Sequence, residues 1–365
     1  MSSSSSSITT PANPEIRVAI VGAGNITRIR HLPGFKAIPG VRVVGVCNQH
    51  RESASRVARE FGIPKVYGTW ENLIDDDEVD AVLIGAWPYM HCPVTLAALD
   101  AGKHVLTEAR MAMNSREAQR MYDRARELPH LTAMIVPSPY GLTGERYVRS
   151  LLASGYIGTL REVHVDGLNS DLADPEVPLG WRQMTKYSGF NMLTLGILYE
   201  TVLRWVPQAN RVMAYASKLI EKRHDPEKNQ PGFVGNPDSV QVLTTQEDGS
   251  VGVYRLSGVL YHGPGMSVSL YGSEGTIVYD LTRDEIRGAK RTDAALEPLP
   301  IPANLRVGWR VEAEFIAAIR GKRPVTHTTF ATGVRYMQFT EAVARSSRHQ
   351  QAVDLPLKEF SNPSL

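Results

Sequence analysis

The chain has 365 residues, enough for two domains that each bury a substantial core without disulfide or metal. Lys and Arg number 40 against 38 Asp and Glu, a formal net charge of +2, which leaves no field to gather nucleic acid or an anionic membrane and points to a small-molecule partner. The two cysteines, Cys47 and Cys92, fall in no CxxC or Cys/His spacing, so neither a disulfide framework nor a metal site has support.

In chain order, Ser2 to Ser7, Thr9, Thr10, Pro11 and Pro14 make up a segment that cannot offset its ordering entropy by burial, so residues 1–14 are expected to be a disordered tail. A secretory signal would place a basic patch and an apolar core there, and no apolar run reaches the ~18 residues of a membrane span, so the expected location is the cytoplasm. Short apolar runs follow at Arg17 to Val21, Val41 to Val46, Ala81 to Ala86, His104 to Thr107 and Thr132 to Val136, separated by helix-length stretches. That grammar predicts parallel strands covered on both faces, a doubly wound α/β Rossmann domain over residues 15–137. Helix signals between them include Pro93 in the first turn of a helix from His91 to Ala101, and Ser115 as a cap before Glu117 to Arg126.

From residue 138 to 365 the order changes. Helices are expected at Gly144 to Ser154 and Asn191 to Trp205, and strands at Leu160 to Val165, Arg211 to Ser217, Val240 to Gln246, Val251 to Ser257, Met266 to Tyr271 and Thr276 to Asp280. Turn clusters at Glu247 to Ser250 and Gly272 to Gly275 mark antiparallel hairpins, predicting an α+β domain on a mainly antiparallel sheet. Asp225 to Pro237 reads as a loop, and late helices are expected at Val311 to Arg320 and Ala331 to Arg348.

The strand Arg17 to Val21 runs into Gly22-Ala23-Gly24-Asn25-Ile26-Thr27. Gly22 permits a tight turn, Gly24 lets the backbone approach a diphosphate, and the helix opening at Asn25 and Ile26 offers amides and a favourable dipole. Thr27 stands where a third glycine is usual. At the end of the second strand an acidic residue would grip the ribose and repel a 2′-phosphate, whereas Asn48 with Arg51 nearby permits NADP as well as NAD. Trp87 and His91 flank Pro88 at the carboxyl edge of the fourth strand, placed either to meet the nicotinamide ribose or to cap the next helix.

The stretches Val79 to Ile84, Pro88 to His91 and Ala97 to Glu108, followed by Tyr156 to Leu160, Trp181-Arg182, Ser188 to Gly196 and Tyr271 to Ile277, resemble the glucose–fructose oxidoreductase, inositol dehydrogenase and rhizopine catabolism (Gfo/Idh/MocA) family over nearly the whole chain. The resemblance implies a Rossmann domain joined to a large open sheet whose uncovered face packs on another subunit, giving a homodimer or homotetramer. It also implies hydride transfer between NAD(P) and a sugar, polyol or related carbonyl compound held between the domains, with Glu108 on the cofactor side. A minority of such proteins use the cofactor transiently in redox-neutral cleavage.

Members usually take the reacting proton on the lysine of a Glu-Lys-Pro segment, aided by an Asp and a His four residues apart. This chain reads Glu108-Ala109-Arg110 in the first place, with Thr194 and Leu198 in the second. Neither Ala109 nor Leu198 titrates, and a threonine hydroxyl is a poor base unless activated, so another proton carrier is required. Lys186 and Tyr187, just before Gly189, are the candidates best placed by motif; His164 is a third, on the strand face it shares with Glu162 and Asp166. Each also has a plainer reading, as a solvated lysine, a packing tyrosine and a structural strand histidine. Arg110, Trp181, Arg182, Asn191 and Thr194 are the expected substrate contacts, Arg110 able to orient a carboxylate or polarise a carbonyl but not to shuttle a proton. A cofactor-binding protein without turnover is the competing expectation.

Overall fold

The computed structural model describes residues 14–363, so all but the last residue of the expected tail lies outside it. Six strands come first: β1 (Ile16–Val21), β2 (Val41–Cys47), β3 (Lys65–Val66), β4 (Ala81–Ile84), β5 (His104–Thr107) and β6 (Ala133–Ile135). They form one sheet in the order β3-β2-β1-β4-β5-β6, with every pairing parallel. All four residues of β4 and five of six in β1 are buried, as parallel strands covered by helices on both faces require. The order reverses between β1 and β4, and a crevice opens at the carboxyl ends there.

Eleven more strands follow: β7 (Leu160–Leu168), β8 (Ala209–Ser217), β9 (Lys222–Asp225), β10 (Gln230–Phe233), β11 (Ser239–Gln246), β12 (Val251–Ser257), β13 (Gly265–Gly272), β14 (Gly275–Asp280), β15 (Glu285–Lys290), β16 (Glu297–Pro298) and β17 (Val353–Asp354). Nine of them make the second sheet, β16-β15-β14-β13-β7-β12-β11-β8-β17, antiparallel except where β7 runs parallel to β12. One face is covered by helices Leu195–Leu203 and Phe330–His349, and Tyr199, Tyr254 and Phe339 stack at its centre. On the other face Met213, Tyr215 and Leu243 are exposed, because strand alternation sends every second side chain away from the core.

Several local expectations change. The segment expected as a loop from Asp225 to Pro237 carries most of a β9–β10 hairpin, whose register pairs Asp225 with Gln230. The helix expected from His91 begins at Pro88, so Pro93 lies inside it and not in its first turn. Asn114, not Ser115, caps the helix Ser115–Glu127: its side-chain oxygen accepts from the Glu117 amide at 2.9 Å, and Ser115 is buried. Finally, helix Val311–Ile319 returns to the first sheet, where Val311, Phe315 and Ile316 pack with Leu32, Phe35 and the β1 core. The polypeptide after residue 138 thus completes both bodies.

Candidate active site

Gly22 sits at φ +91°, and a Cβ there would overlap the backbone of Ala86 just past β4, so only glycine makes this turn. At Gly24 a Cβ would meet nothing within 4 Å; the loop is open on the side where a diphosphate approaches. The packing job of the missing third glycine has moved. Thr27 is buried with its hydroxyl donating to the Gly22 carbonyl at 3.2 Å, and the room for it comes from Gly85, where a Cβ would overlap the Thr27 oxygen. Asn25 and Ile26 are exposed at the start of the wide helical turn Thr27–His31 that leads into helix Leu32–Lys36.

A cleft of about 600 Å³ extends from this loop, lined by Gly22, Gly24, Asn48, His50, Trp70 and Trp87 among others. The Asn48 side-chain oxygen accepts from the Ala23 amide at 2.7 Å while its NH₂ donates to Ser53 at 3.0 Å, so the end of β2 fixes the glycine loop. The Arg51 guanidinium lies beside Gly68 at the edge of the same cleft. A glycine turn without Cβ atoms, an open helix start and a cleft at the switch point fit a nicotinamide dinucleotide.

A second cavity of about 440 Å³ lies between β7 and the start of helix Leu195–Leu203, lined by Arg110, Tyr140, Asp171, Trp181, Arg182 and Thr194 among others. The two spaces meet at an aromatic wall. Trp87, from the first cleft, stacks on Trp181, from the second, with ring centroids 5.4 Å apart; Tyr187 closes on Trp87 at 4.9 Å and on Tyr89 at 5.3 Å.

Glu108, just past β5, opens a chain of charges that reaches inward. Its Oε1 accepts from His31 Nε2 at 2.8 Å, and His31 Nδ1 donates to Glu312 at 2.6 Å, with the Trp309 indole also donating to Glu312. Burial pulls the His31 pKa down, but the two carboxylates outweigh it and push it up to about 9, so the ring is an imidazolium. This clasp ties the glycine-loop helix, the end of β5 and helix Val311–Ile319 together and holds Glu108 in place.

The other expected residues divide by position. His91 is fully buried and aims its ring nitrogens at the carbonyls of Arg110 and Ala86, at 2.8 and 2.9 Å, bracing the loop ends behind the cleft. Burial holds its pKa below the ordinary value. Asn191 is buried and donates to the carbonyls of Ala112 and Ser188. Lys186 points away from both cavities: its ammonium donates to Glu227 at 2.7 Å, is 53% exposed, and has a pKa raised by that hydrogen bond. Tyr187 donates to the same carboxylate at 2.8 Å, so its hydroxyl is committed even though its ring forms part of the aromatic wall. His164 pairs with Glu162 at 2.8 Å and packs edge-on against Tyr271. Its neighbours Val163 and Val165 face the core, so alternation puts His164 on the uncovered sheet face, while Gly167, on the inner face, lines the substrate-side cavity. The geometry therefore brings together Trp87, Arg110, Trp181, Arg182 and Thr194, and leaves Lys186 and His164 outside.

Sequence reasoning missed Tyr140, His31 and Glu312. The Tyr140 carbonyl accepts from Thr201 and Arg204 of helix Leu195–Leu203, which anchors the residue, while its phenol makes no hydrogen bond among the described residues. Burial raises its pKa against the lowering effect of Arg182 and Arg110.

Residues 16–136 match the family described as "Oxidoreductase family, NAD-binding Rossmann fold", and residues 146–278 match the GFO/IDH/MocA C-terminal domain. Levoglucosan dehydrogenase from Pseudarthrobacter phenanthrenivorans is 25% identical across 93% of this chain and 98% of its own length. Myo-inositol 2-dehydrogenase from Thermotoga maritima is 24% identical across 74% and 76%. A solved structure of levoglucosan dehydrogenase in complex with NADH and L-sorbose has a TM-score of 0.82 at 25% identity, covering 94% of this chain and 99% of that one. An oxidoreductase domain protein from Kribbella flavida has the same fold, with a TM-score of 0.83 at 21% identity over 94% of this chain and all of its own. With both of its halves matched in order, this chain is a member of the Gfo/Idh/MocA family of NAD-binding oxidoreductases.

Proposed function

We propose that this protein oxidises or reduces a sugar, polyol or related hydroxy or keto compound bound in the Tyr140–Trp181 cavity, using NAD or NADP held in the neighbouring cleft. The observation that carries the reading is the contact of the two spaces at Trp87 and Trp181, which sets a substrate-sized cavity against the end of a dinucleotide-sized one. The names of the matched relatives, dehydrogenases of levoglucosan and of myo-inositol, support the substrate class. When bound, the nicotinamide ring gives or takes the hydride.

The chain's own residues supply the rest. Gly22, Gly24 and the helix start bind the diphosphate, Asn48 keeps the loop in shape, and His31 clamps Glu108 just past β5. Trp181 and Trp87 exclude water from the junction. The proton carrier is the Tyr140 phenol, the titratable hydroxyl that lines the substrate cavity: in the reducing direction it donates to the forming alkoxide oxygen, and in the oxidising direction its phenolate accepts, eased by the guanidiniums of Arg110 and Arg182. Asn48 carries no negative charge to repel a 2′-phosphate, which supports NADP as well as NAD. The exposed apolar row on the uncovered sheet face, in which Leu243 pairs with both Met213 and Val253, supports pairing with a second copy of the chain.

The test is absorbance of the reduced nicotinamide with either cofactor across sugars, polyols, sugar acids and keto compounds. Tyr140→Phe is expected to cut turnover roughly 100-fold or more with cofactor affinity kept, whereas Lys186→Ala leaves turnover nearly unchanged. Full activity in Tyr140→Phe removes Tyr140 from the role; silence of the wild-type protein across the panel, with cofactor bound, removes the enzymatic reading.

A further inference from the structure

Arg110 is 6% exposed, yet no carboxylate lies within ion-pair distance of it among the described residues. One of its terminal nitrogens donates to the Leu193 carbonyl at 2.9 Å, and its Nε, also buried, has no partner among the described residues. Burial lowers its pKa to about 10, with the positive charge of Arg182 acting in the same direction. A buried guanidinium without a counter-charge is among the costlier arrangements a fold can keep, because water is lost and nothing replaces it. The surroundings nonetheless accommodate this side chain. At Gly196 a Cβ would sit 3.2 Å from the Arg110 Cδ, and Leu193 adopts φ +45°, uncommon for a side chain of its size, while offering its carbonyl to Arg110.

A second cation faces the same space. The Arg182 guanidinium lies 4.2 Å from the centroid of the Trp181 ring and forms no ion pair among the described residues. The amino end of helix Leu195–Leu203 opens there too, through Leu193 and Thr194, adding its positive pole. Asp171, the acidic side chain in the lining, is exposed at the rim and pairs with neither arginine. Two guanidiniums and a helix start converge on a cavity that offers no internal anion at hydrogen-bonding distance, so the missing partner is the ligand. The Tyr140 phenol, the Thr194 hydroxyl and Asn169 line the remainder and suit hydroxyl groups.

We propose that the cavity takes a polyhydroxylated carboxylate, a sugar acid, with its carboxylate held between Arg110 and Arg182. This rests on the proposed function and narrows its substrate class. A neutral sugar would leave Arg110 buried and unpaired. The terminal nitrogen of Arg110 that does not serve Leu193 has no partner among the described residues, and beside Arg182 it offers charge-assisted donors to a carboxylate in the cavity.

The full-length protein is titrated calorimetrically first with NAD⁺ and NADP⁺, then, saturated with the better of the two, with D-gluconate, D-galactonate and D-glucuronate beside D-glucose, sorbitol and glucose 6-phosphate. At least one sugar acid is expected to bind tenfold or more tighter than both neutral compounds and than the phosphate ester. Arg182→Gln, at a side chain open to the cavity, is expected to erase that preference while cofactor affinity is kept; Arg110→Gln should do the same if it folds. Cofactor binding with no sugar acid preferred, or with the phosphate ester or a neutral compound preferred, overturns this inference and leaves the oxidoreductase reading standing. A preference that survives in Arg182→Gln overturns the assignment of the carboxylate to this pair. Absence of cofactor binding overturns the underlying reading itself.

Discussion

Trp87 and Trp181 lie face to face across the junction of the two sheets, their planes within 13° of parallel and their centres 5.4 Å apart. One follows β4 and the other opens the short helical turn Trp181–Gln183, so the contact couples the cofactor side to the substrate side. Trp181→Leu removes it without touching the glycine loop. With aromatic pairs worth about 0.5–1.5 kcal/mol beyond area, the substrate KM is expected to rise roughly 2- to 12-fold. The cofactor Kd should hold steady; a Kd that rises as much as KM would show that the stack serves both ligands equally.

Gly24 gives the cleanest separation of binding from folding. Because a Cβ there meets no atom within 4 Å, Gly24→Ala is expected to melt at the wild-type temperature. Its methyl would stand where the diphosphate must approach, so affinity for either nicotinamide cofactor should fall roughly tenfold or more. Unaltered affinity by fluorescence quenching would mean that the diphosphate lies elsewhere.

Asn48→Asp keeps an oxygen for the Ala23 amide, which Asn48 accepts from at 2.7 Å, and adds one negative charge at the end of β2. That charge repels a 2′-phosphate and grips ribose hydroxyls. The ratio of NAD to NADP affinity is expected to shift towards NAD by roughly an order of magnitude, about 1.4 kcal/mol. No shift would place the adenosine ribose out of reach of residue 48.

Stability should fall with rising pH near neutrality and above. His31 has a folded-state pKa of about 9, above its ordinary value of 6.5, and His327, hydrogen-bonded to Glu145 and Glu314, also reaches about 9. Protons bound by the native state and not by the unfolded one stabilise it fully below pH 6.5, and the contribution disappears as pH rises through about 9. Thermal unfolding followed from pH 6 to pH 10 is expected to show a melting temperature lower at the alkaline end by roughly 5 °C. A flat or rising profile would mean that both rings are neutral in the native protein.

Leu243 is 55% exposed in the middle of the uncovered sheet face. Leu243→Asp is expected to yield a monomer in size-exclusion chromatography with light scattering, where the wild-type chain runs as a dimer or tetramer. A wild-type monomer would end the idea that this face is shared between copies.

The Rossmann sheet was readable because its strands are continuous apolar runs and the first ends in two glycines with distinct jobs. The substrate side was readable only in part. Trp181, Arg182 and Thr194 follow motif positions, but which face of β7 meets the cavity depends on pairings with β12 and β13 that no local pattern encodes, so His164, correctly grouped with Glu162 and Asp166, was offered as a proton carrier although that face is the uncovered one. Lys186 sits near Gly189 in sequence, yet Glu227, 41 positions on, claims its ammonium from a turn that composition alone marked as a loop. The His31–Glu312 contact spans 281 positions, beyond the reach of any spacing rule.

Helix Val311–Ile319 sets a condition on how the molecule is made. Its Val311, Phe315 and Ile316 close the core beneath β1 that also holds Leu32 and Phe35. A ribosome must therefore deliver most of the polypeptide before the nucleotide-binding half can seal. Fragments cut near residue 137 would carry a bare apolar groove and aggregate, and any splitting of this enzyme for engineering needs that nine-residue segment supplied in trans.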